Sequence, residues 1–304
     1  MAAAKLGLVG LGNLGMEFGL RAVAASRSVV AHDASPQLAL AGAARADSVG
    51  AVVAAAPTVV SVVPDDAAAR AVADELLAAA AGRGSDAPPL LHVSCSTISP
   101  SASASLAAAH AAAGVGYVAA PVFARPENMR AGQASFAVSG GDAALRARAV
   151  RDALECAAPR ERCFDYGDAP GAANVAKLCG NFLIAASIEA LGESLALAEG
   201  HGVDRGAVLD MLASTIFDCA IYRGYGGRVA GRDHAPGGFA LHHGLKDVGL
   251  VQKAAQDARV PMPLGSLLVD QFTAASNDAA LAGLDWSALG LHVSKNAGVD
   301  ASSK

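Results

Sequence analysis

Lys177 is the only charged residue between positions 168 and 189, and asparagines flank it at helical spacing. Apolar residues recur every three or four positions from Pro170 to Glu199, a pattern typical of a long helix packed on several sides. On such a helix Asn174 and Asn181 lie one turn before and one turn after the lysine, on the same face. An ammonium in apolar surroundings costs free energy unless it is paired or has a function. Two interpretations stay open: a lysine that reaches solvent from a helix end, and a functional amine.

The N-terminal segment has the pattern that binds dinucleotides. An apolar strand at Lys5–Val9 leads into the sequence GLGNLG, and a helix-like segment runs from Met16 to about Ala25. The turn consists of Gly10, Leu11, Gly12, Asn13, Leu14 and Gly15. In this motif the first glycine makes a tight turn, the second lets the backbone approach a pyrophosphate, and the third lets helix and strand pack closely. The N–H groups at the start of the helix attract the anion, so the segment predicts a dinucleotide site.

Asp33 follows the second predicted strand, Val29–His32, and bears on the choice of dinucleotide. A carboxylate at this position accepts hydrogen bonds from the ribose hydroxyls of NAD and repels the 2′-phosphate of NADP. We therefore expect NAD to be favoured over NADP. Arg45 or Arg27 would reverse this preference if either side chain reached the phosphate.

Strands and helices alternate up to residue 166. Further strands are predicted at 59–63, 90–94, 115–119, 135–139 and 162–166. This alternation predicts an α/β fold with a Rossmann-type, doubly wound parallel sheet, whose ligands bind at the carboxyl ends of the strands. Ser96 and Thr97 lie at one such end, where a turn or N-cap role and a ligand role both stay open.

The C-terminal part is predicted to be all-helical. We assign residues 1–168 to a dinucleotide-binding domain and residues 169–304 to a helical domain that begins with a long interdomain helix. Further helices are predicted at 207–213, 245–258 and 264–275, with a glycine-rich loop at 223–238 and a disordered tail from Ser294. Candidate substrate contacts in and beside this loop are Tyr222, Arg223, Tyr225, Arg232 and His234.

Composition excludes several classes of function. The 304 residues are 53% hydrophobic and carry a net charge of −5, so there is no basic field for nucleic acid or an acidic membrane. Five cysteines without a C-x-x-C pair are typical of reduced cytosolic thiols. The apolar run 48–64 is broken by Pro57, and no secretory leader pattern opens the chain. His242 and His243 have no metal-ligand spacing with nearby acids. We expect a cytoplasmic protein without a metal.

The order of these features resembles the β-hydroxyacid dehydrogenase family, which includes 3-hydroxyisobutyrate dehydrogenases and is related to 6-phosphogluconate dehydrogenases and imine reductases. Four motifs carry the resemblance over nearly the whole chain. They are GLVGLGNLGM at the N-terminus, APV at 120–122, a glycine followed by K-x-x-x-N at 171–181, and K-D at 246–247. The family pattern S-G-G after APV is replaced here by Phe123, Ala124 and Arg125. This departure puts a small 3-hydroxy acid as substrate in doubt. Two interpretations of Arg125 stay open: a side-chain anion clamp in place of backbone amides, and a solvated loop residue.

The resemblance implies roles for the matching residues. Lys177 would exchange a proton with the substrate oxygen while hydride passes to or from nicotinamide, and Asn181 would hold the substrate or orient the lysine. The implied cofactor-lining positions beyond the glycine turn are Val63, Pro64, Thr97 and Lys246. The implied substrate contacts are Ser96, Phe123, Ala124, Arg125, Asn181 and Asp247. For Lys246 and Asp247 the alternative is a solvated helix start.

The function expected from these residues is hydride transfer between NAD(P) and the carbonyl or hydroxyl group of a small, acidic metabolite. The resemblance also implies that the helical domain mediates dimerisation, in a homodimer or homotetramer. Two alternatives remain: an imine reductase on the same scaffold, and a dinucleotide-binding protein without catalytic activity. A decarboxylating sugar-phosphate dehydrogenase is disfavoured, because the chain is short and lacks a basic cluster for the phosphate.

Overall fold

The structure is a computed structural model that describes residues 5–299. The chain divides into two compact units, an N-terminal unit that ends at Lys177 and a C-terminal unit that begins at Leu178. This division falls nine residues after the predicted boundary at 168/169, within the long helix. The assignment of a function to each domain stays a prediction.

Six strands of the described chain form one parallel sheet in the N-terminal unit. The strands are β1 Lys5–Val9, β2 Ser28–His32, β3 Ala44–Arg45, β4 Thr58–Ser61, β5 Leu91–Ser94 and β6 Gly116–Ala119. Their order is β3-β2-β1-β4-β5-β6, so the chain winds outward in both directions from the β1–β4 pair. The connecting helices are α1 Asn13–Ala24, α2 Val49–Ala55, α3 Asp66–Ala80 and α4 Pro100–Ala112. The predicted doubly wound sheet is confirmed.

A second, three-stranded sheet in the same unit contains the remaining predicted strands. It consists of β7 Val122–Phe123, β8 Ser135–Val138 and β9 Cys163–Asp165, in that spatial order, with α5 Pro126–Arg130 and α6 Ala143–Asp152 in the connections. β7 and β8 are antiparallel, whereas β8 and β9 are parallel. An isolated bridge between Ala119 and Ser139 joins the end of β6 to the end of β8.

The described part of the C-terminal unit is helical, as expected. Its elements are α7 Ala172–Gly200, which begins in the N-terminal unit, α8 Arg205–Ala213, α9 Ala220–Gly231, α10 Leu241–Ala258, α11 Pro263–Asn277 and α12 Leu289–Asn296. Its buried core includes Ile188, Leu191, Val229, Phe272 and Trp286. Asp204 caps α8 by accepting a hydrogen bond from the amide of Ala207.

Two predictions for this unit are wrong. The glycine-rich stretch 223–238 is not one loop, because α9 extends to Gly231. A glycine costs a helix about 1 kcal/mol relative to alanine, but Gly226 lets α9 approach Leu209, whose Cδ1 would lie 2.7 Å from an added Cβ. Packing therefore overrides the low helix propensity. The tail does not begin at Ser294, which is fully buried in α12, while residues 300–304 lie outside the described range.

Helix α7 is long and apolar enough to cross a membrane, with 29 residues and a mean hydropathy of 1.4 in its most apolar window. The core helix of a soluble protein has the same properties. The polar side chains of Asn174, Lys177, Asn181 and Glu189 are buried along α7.

Candidate active site

The glycine-rich turn joins β1 to α1, and close backbone contacts explain two of its three glycines. Gly10 has φ +94°, and a Cβ at this position would lie 2.2 Å from the carbonyl oxygen of Val62. A Cβ on Gly15 would lie 2.1 Å from the carbonyl oxygen of Gly10. Side chains other than hydrogen are therefore excluded by backbone atoms, which cannot rotate away.

Gly12 differs from the other two glycines because it faces open space. No heavy atom of the described chain lies within 4 Å of a Cβ built on this residue. Gly12 is also the N-cap of α1, so no N-cap side chain occupies the N–H groups of the first turn. An open side at the N-terminus of a helix fits the pyrophosphate of a dinucleotide.

Asp33 lies beside this turn, at the end of β2. Its Oδ2 accepts a hydrogen bond from the amide of Leu11 at 2.6 Å, and its Oδ1 accepts one from the amide of Ser35 at 2.7 Å. A small cavity beside the turn is lined by both Asp33 and Arg45. Nη1 of Arg45 donates a hydrogen bond to the carbonyl oxygen of Pro36 at 2.8 Å. The cavity thus contains both a carboxylate and a guanidinium, the two groups on which the choice between NAD and NADP was predicted to depend.

The turns after β4 and β5 are held together by side chains. The Ser96 hydroxyl oxygen accepts a hydrogen bond from the amide of Val63 at 2.8 Å, so Ser96 joins the two turns. The N-cap of α4 is Ser99, whose hydroxyl also donates to the Asp66 carboxylate at 2.6 Å. Ser96 and Thr97 are therefore not N-caps. The Asp66–Ser99 pair was not singled out in the sequence, where these residues have no motif in common.

Lys177 is buried, with 8% of its surface exposed, so the interpretation of a lysine that reaches solvent is wrong. Its Nζ lies 4.2 Å from the centroid of the Phe123 ring, which β7 positions. Gly171, with φ +88°, lets the chain before α7 pack against Pro100 at the start of α4. Asn174 is buried on the same face of α7, and its amide lies 3.4 Å from the carbonyl oxygen of Ile98.

Arg125 follows Phe123 by two positions and forms an ion pair with Glu127, with 2.9 Å between Nε and Oε1. Only 18% of the arginine side chain is exposed, so it is not a solvated loop residue. The Arg125 guanidinium therefore already has one carboxylate partner. Ala124, between these two residues, packs against the hydrophobic core.

In the C-terminal unit, three predicted residues form a buried polar cluster. The side-chain amide of Asn181 on α7 donates a hydrogen bond to Oδ2 of Asp247 on α10. The other oxygen of Asp247 pairs with Nζ of Lys246 at 2.9 Å. Asp247 is 1% exposed, so the alternative of a solvated helix start is wrong for this residue.

The five candidates around the glycine-rich stretch contact residues of their own unit. Tyr222 stacks on Phe217, and Tyr225 contacts Trp286 edge to face. Arg223 pairs with Asp218, Arg232 with Glu199, and His234 hydrogen-bonds Ser287. Burial lowers the pKa of His234 to about 4. These contacts give each of the five residues a structural role within the C-terminal unit. A substrate role for them stays a prediction.

Two family models match the chain. The model for the NAD-binding domain of 6-phosphogluconate dehydrogenase matches residues 5–167, which is more than half of the sequence. A model described as NAD-binding of NADP-dependent 3-hydroxyisobutyrate dehydrogenase matches residues 171–293. The chain belongs to the β-hydroxyacid dehydrogenase family.

This β-hydroxyacid dehydrogenase matches similar proteins over nearly its whole length. It is 32% identical to the 3-hydroxyisobutyrate dehydrogenase of Pseudomonas aeruginosa, with 93% of this chain and 96% of that protein covered. It is also 32% identical to the oxidoreductase YfjR of Bacillus subtilis, with 94% and 98% covered. The solved structure of 3-hydroxyisobutyrate dehydrogenase from Mycobacterium tuberculosis with L-serine superimposes with a TM-score of 0.82 at 27% identity, covering 95% of this chain and 98% of that one. The protein is an NAD(P)-dependent oxidoreductase.

Proposed function

We propose that this β-hydroxyacid dehydrogenase transfers hydride between NAD(P) and the carbonyl or hydroxyl group of a small metabolite, with Lys177 as general acid and base. The bound nicotinamide supplies or accepts the hydride. Nζ of Lys177 gives its proton to the carbonyl oxygen during reduction and takes it back during oxidation. The proposal depends on the burial of this lysine. Buried titratable side chains are typical of catalytic sites, whereas a solvated lysine is typical of a protein surface.

Asn181 supports the same chemistry from one helical turn further along α7. Because Asp247 accepts a hydrogen bond from its side-chain amide, the orientation of the amide plane is fixed. The carbonyl oxygen and the remaining N–H of Asn181 are then held ready for a substrate hydroxyl or carboxylate. We assign Asn181 to substrate binding, with Asp247 and Lys246 as the residues that orient it.

The substrate is proposed to be acidic, and Arg125 is its candidate anion contact. The relatives support this class by their names, since 3-hydroxyisobutyrate and L-serine both carry a carboxylate and a hydroxyl group. A substrate carboxylate would share the guanidinium with Glu127 or displace this neighbour. Arg125→Gln is therefore expected to raise KM more than it lowers kcat, because the contact is made in both the ground state and the transition state.

NAD is the proposed cofactor, since Asp33 lies directly beside the glycine-rich turn. The comparison of kcat/KM with NADH and NADPH tests this choice. The wild type is expected to prefer NADH, Asp33→Ala to move the ratio toward NADPH, and Arg45→Ala to move it further toward NADH. A wild-type preference for NADPH that Arg45→Ala abolishes would show that the arginine, not the carboxylate, selects the cofactor.

Lys177→Ala tests the catalytic assignment on a panel of hydroxy acids, aldehydes and cyclic imines, followed by NADH absorbance. A lost general acid is expected to lower kcat roughly 100-fold or more, with little change in cofactor Kd. Lys253→Ala on the exposed face of α10 is the matched control and keeps wild-type activity. Full activity of Lys177→Ala would refute the assignment. Turnover of cyclic imines alone would identify an imine reductase, and cofactor binding without turnover would identify a non-catalytic protein.

We also propose that the protein is a homodimer or homotetramer. Several large apolar side chains of the C-terminal unit are exposed in the single chain, and Ile216 is the most exposed of them at 90%. The others include Leu183, Leu197, Met211 and Val203. Exposed apolar surface of this kind is typical of protein interfaces. A monomeric mass by light scattering at micromolar concentration would contradict this proposal.

A further inference from the structure

The contact between Lys177 and Phe123 joins two residues from separate segments of the N-terminal unit. Nζ of Lys177 lies 4.2 Å from the ring centroid of Phe123. This distance is within the range in which an aromatic ring attracts a cation through its negative face. The lysine is buried and the phenylalanine is partly buried, so water weakens the attraction less than it does at an exposed site.

Independent backbone contacts fix both partners. Phe123 is paired with Ser135 of β8 in the second sheet. The amide of Ala173, in the first turn of α7, donates a hydrogen bond to the hydroxyl oxygen of Ser139, the residue that follows β8. The second sheet therefore positions the ring through β7 and also anchors the start of the helix that carries the lysine.

We propose that Phe123 is a positioning residue that holds the protonated amine of Lys177 by this cation–π contact. The inference rests on the proposed role of Lys177 as general acid. When the proton passes from Nζ to the carbonyl oxygen, the amine becomes neutral and loses its attraction to the ring. The ring thus favours the proton-donating state over the neutral amine.

The ring electronics provide the test, because fluorine weakens the negative face of a phenyl ring with little change in its shape. Phe123 is replaced by phenylalanines with one, two and three ring fluorines, and kcat/KM for carbonyl reduction is measured against pH. The midpoint of the alkaline limb is expected to move to lower pH with each fluorine, by roughly half a unit to one unit in total. Phe123→Leu is expected to move this midpoint at least as far, whereas Phe123→Tyr is expected to keep it near the wild-type value.

Controls separate positioning from packing. Phe164→Leu changes an exposed phenylalanine of the same sheet and is expected to leave the pH profile unchanged. A fluorinated series with the wild-type profile, combined with a lower Tm for Phe123→Leu, would reduce Phe123 to a packing residue and overturn the inference. If Lys177→Ala keeps wild-type turnover, the proposed function itself fails. If Lys177→Ala is inactive and the fluorinated series is flat, only the inference fails.

Discussion

The glycine-rich turn and the surroundings of Lys177 are built in different ways. The turn is made of consecutive residues whose backbone atoms approach each other so closely that Gly10 and Gly15 tolerate no side chain. Around Lys177 the contacts are made by side chains that come from distant parts of the sequence, such as Phe123. The Asn181–Asp247 contact likewise joins residues 66 positions apart.

This difference in construction bears on what each region can recognise. A backbone turn that binds a pyrophosphate recognises the part that NAD and NADP share, so the same glycine spacing serves every reaction of the cofactor. A side chain beside the amine of Lys177 would affect the proposed proton donor and the space for a substrate. At positions 123–125 the family pattern S-G-G is replaced by Phe123, Ala124 and Arg125, while the turn keeps its motif.

The largest effect is expected from Gly15→Ala, which tests whether close backbone contacts determine the glycine-rich turn. The new Cβ would lie 2.1 Å from a backbone carbonyl oxygen, so the turn or α1 must move. We expect a loss of about 4 kcal/mol in the free energy of unfolding, above the usual range for overpacking because backbone atoms cannot rotate away. Cofactor Kd is expected to rise roughly 100-fold, a loss of about 3 kcal/mol in binding. Urea unfolding and NADH fluorescence titration measure the two quantities.

Gly12→Ala is the matched control for this prediction. Its Cβ meets no neighbour within 4 Å in the described chain, so the free energy of unfolding stays within about 0.5 kcal/mol of wild type. Cofactor binding is expected to weaken, because the methyl group occupies the side that the pyrophosphate approaches. Equal stability losses for the two variants would contradict the steric account of the turn.

Much of the fold could be predicted because its determinants are local. The turn motif, the short β-branched strands and the apolar periodicity of α7 each lie within one segment, so sequence spacing reveals them. Prediction failed where packing between segments decides the structure. The glycines of α9 indicate a loop by propensity, yet Gly226 is there because Leu209 packs against it.

The candidate site shows the same limit. Lys177 and Asn181 were identified because they share one helical face, and Asp33 because it follows a strand at a set distance from the turn. No sequence spacing indicates that Phe123 contacts Lys177, that Ser96 binds the amide of Val63, or that Asp247 binds Asn181. These pairs depend on which segments the fold brings together.

A smaller effect is expected from Asp247→Leu, which tests the contacts between side chains from distant parts of the sequence. The change leaves the buried amide of Asn181 without its acceptor and Lys246 without its carboxylate. We expect the free energy of unfolding to fall by about 3 kcal/mol, at the lower end for a broken buried pair because Lys246 is partly exposed. We also expect kcat to fall roughly 10-fold, since Asn181 loses its orientation. Steady-state kinetics and urea unfolding measure the two effects.

Asp257→Leu on the same helix is the control for that prediction. It breaks the pair with Lys253, in which both side chains are more than half exposed, so stability changes by less than about 0.5 kcal/mol. If Asp247→Leu lowers stability but leaves kcat unchanged, the cluster is structural and Asn181 needs no orienting partner.

The smallest effect is expected from Glu189→Gln. This variant measures how much a buried carboxyl group without a hydrogen-bond partner on α7 lowers the free energy of unfolding. Glu189 is 3% exposed, and among the described residues neither of its oxygens has a hydrogen-bond partner. Burial, and then the nearby charge of Glu193, raise the pKa of Glu189 from 4.5 to about 7. The folded state therefore keeps a proton that the unfolded state releases, and stability falls as the pH rises from 4.5 to 7.

Glutamine cannot ionise, so Glu189→Gln removes this pH dependence. We expect the variant to be about 1 kcal/mol less stable than wild type near pH 4.5 and about 2 kcal/mol more stable at pH 8. The gain is smaller than the roughly 3 kcal/mol that the shift in pKa corresponds to, because the buried amide is also unpaired. Glu193→Gln, at an exposed position one turn along α7, should give a smaller gain of the same sign. Urea unfolding at the two pH values measures both variants, and a gain that is equal at both would mean that Glu189 ionises in the folded protein as it does in water.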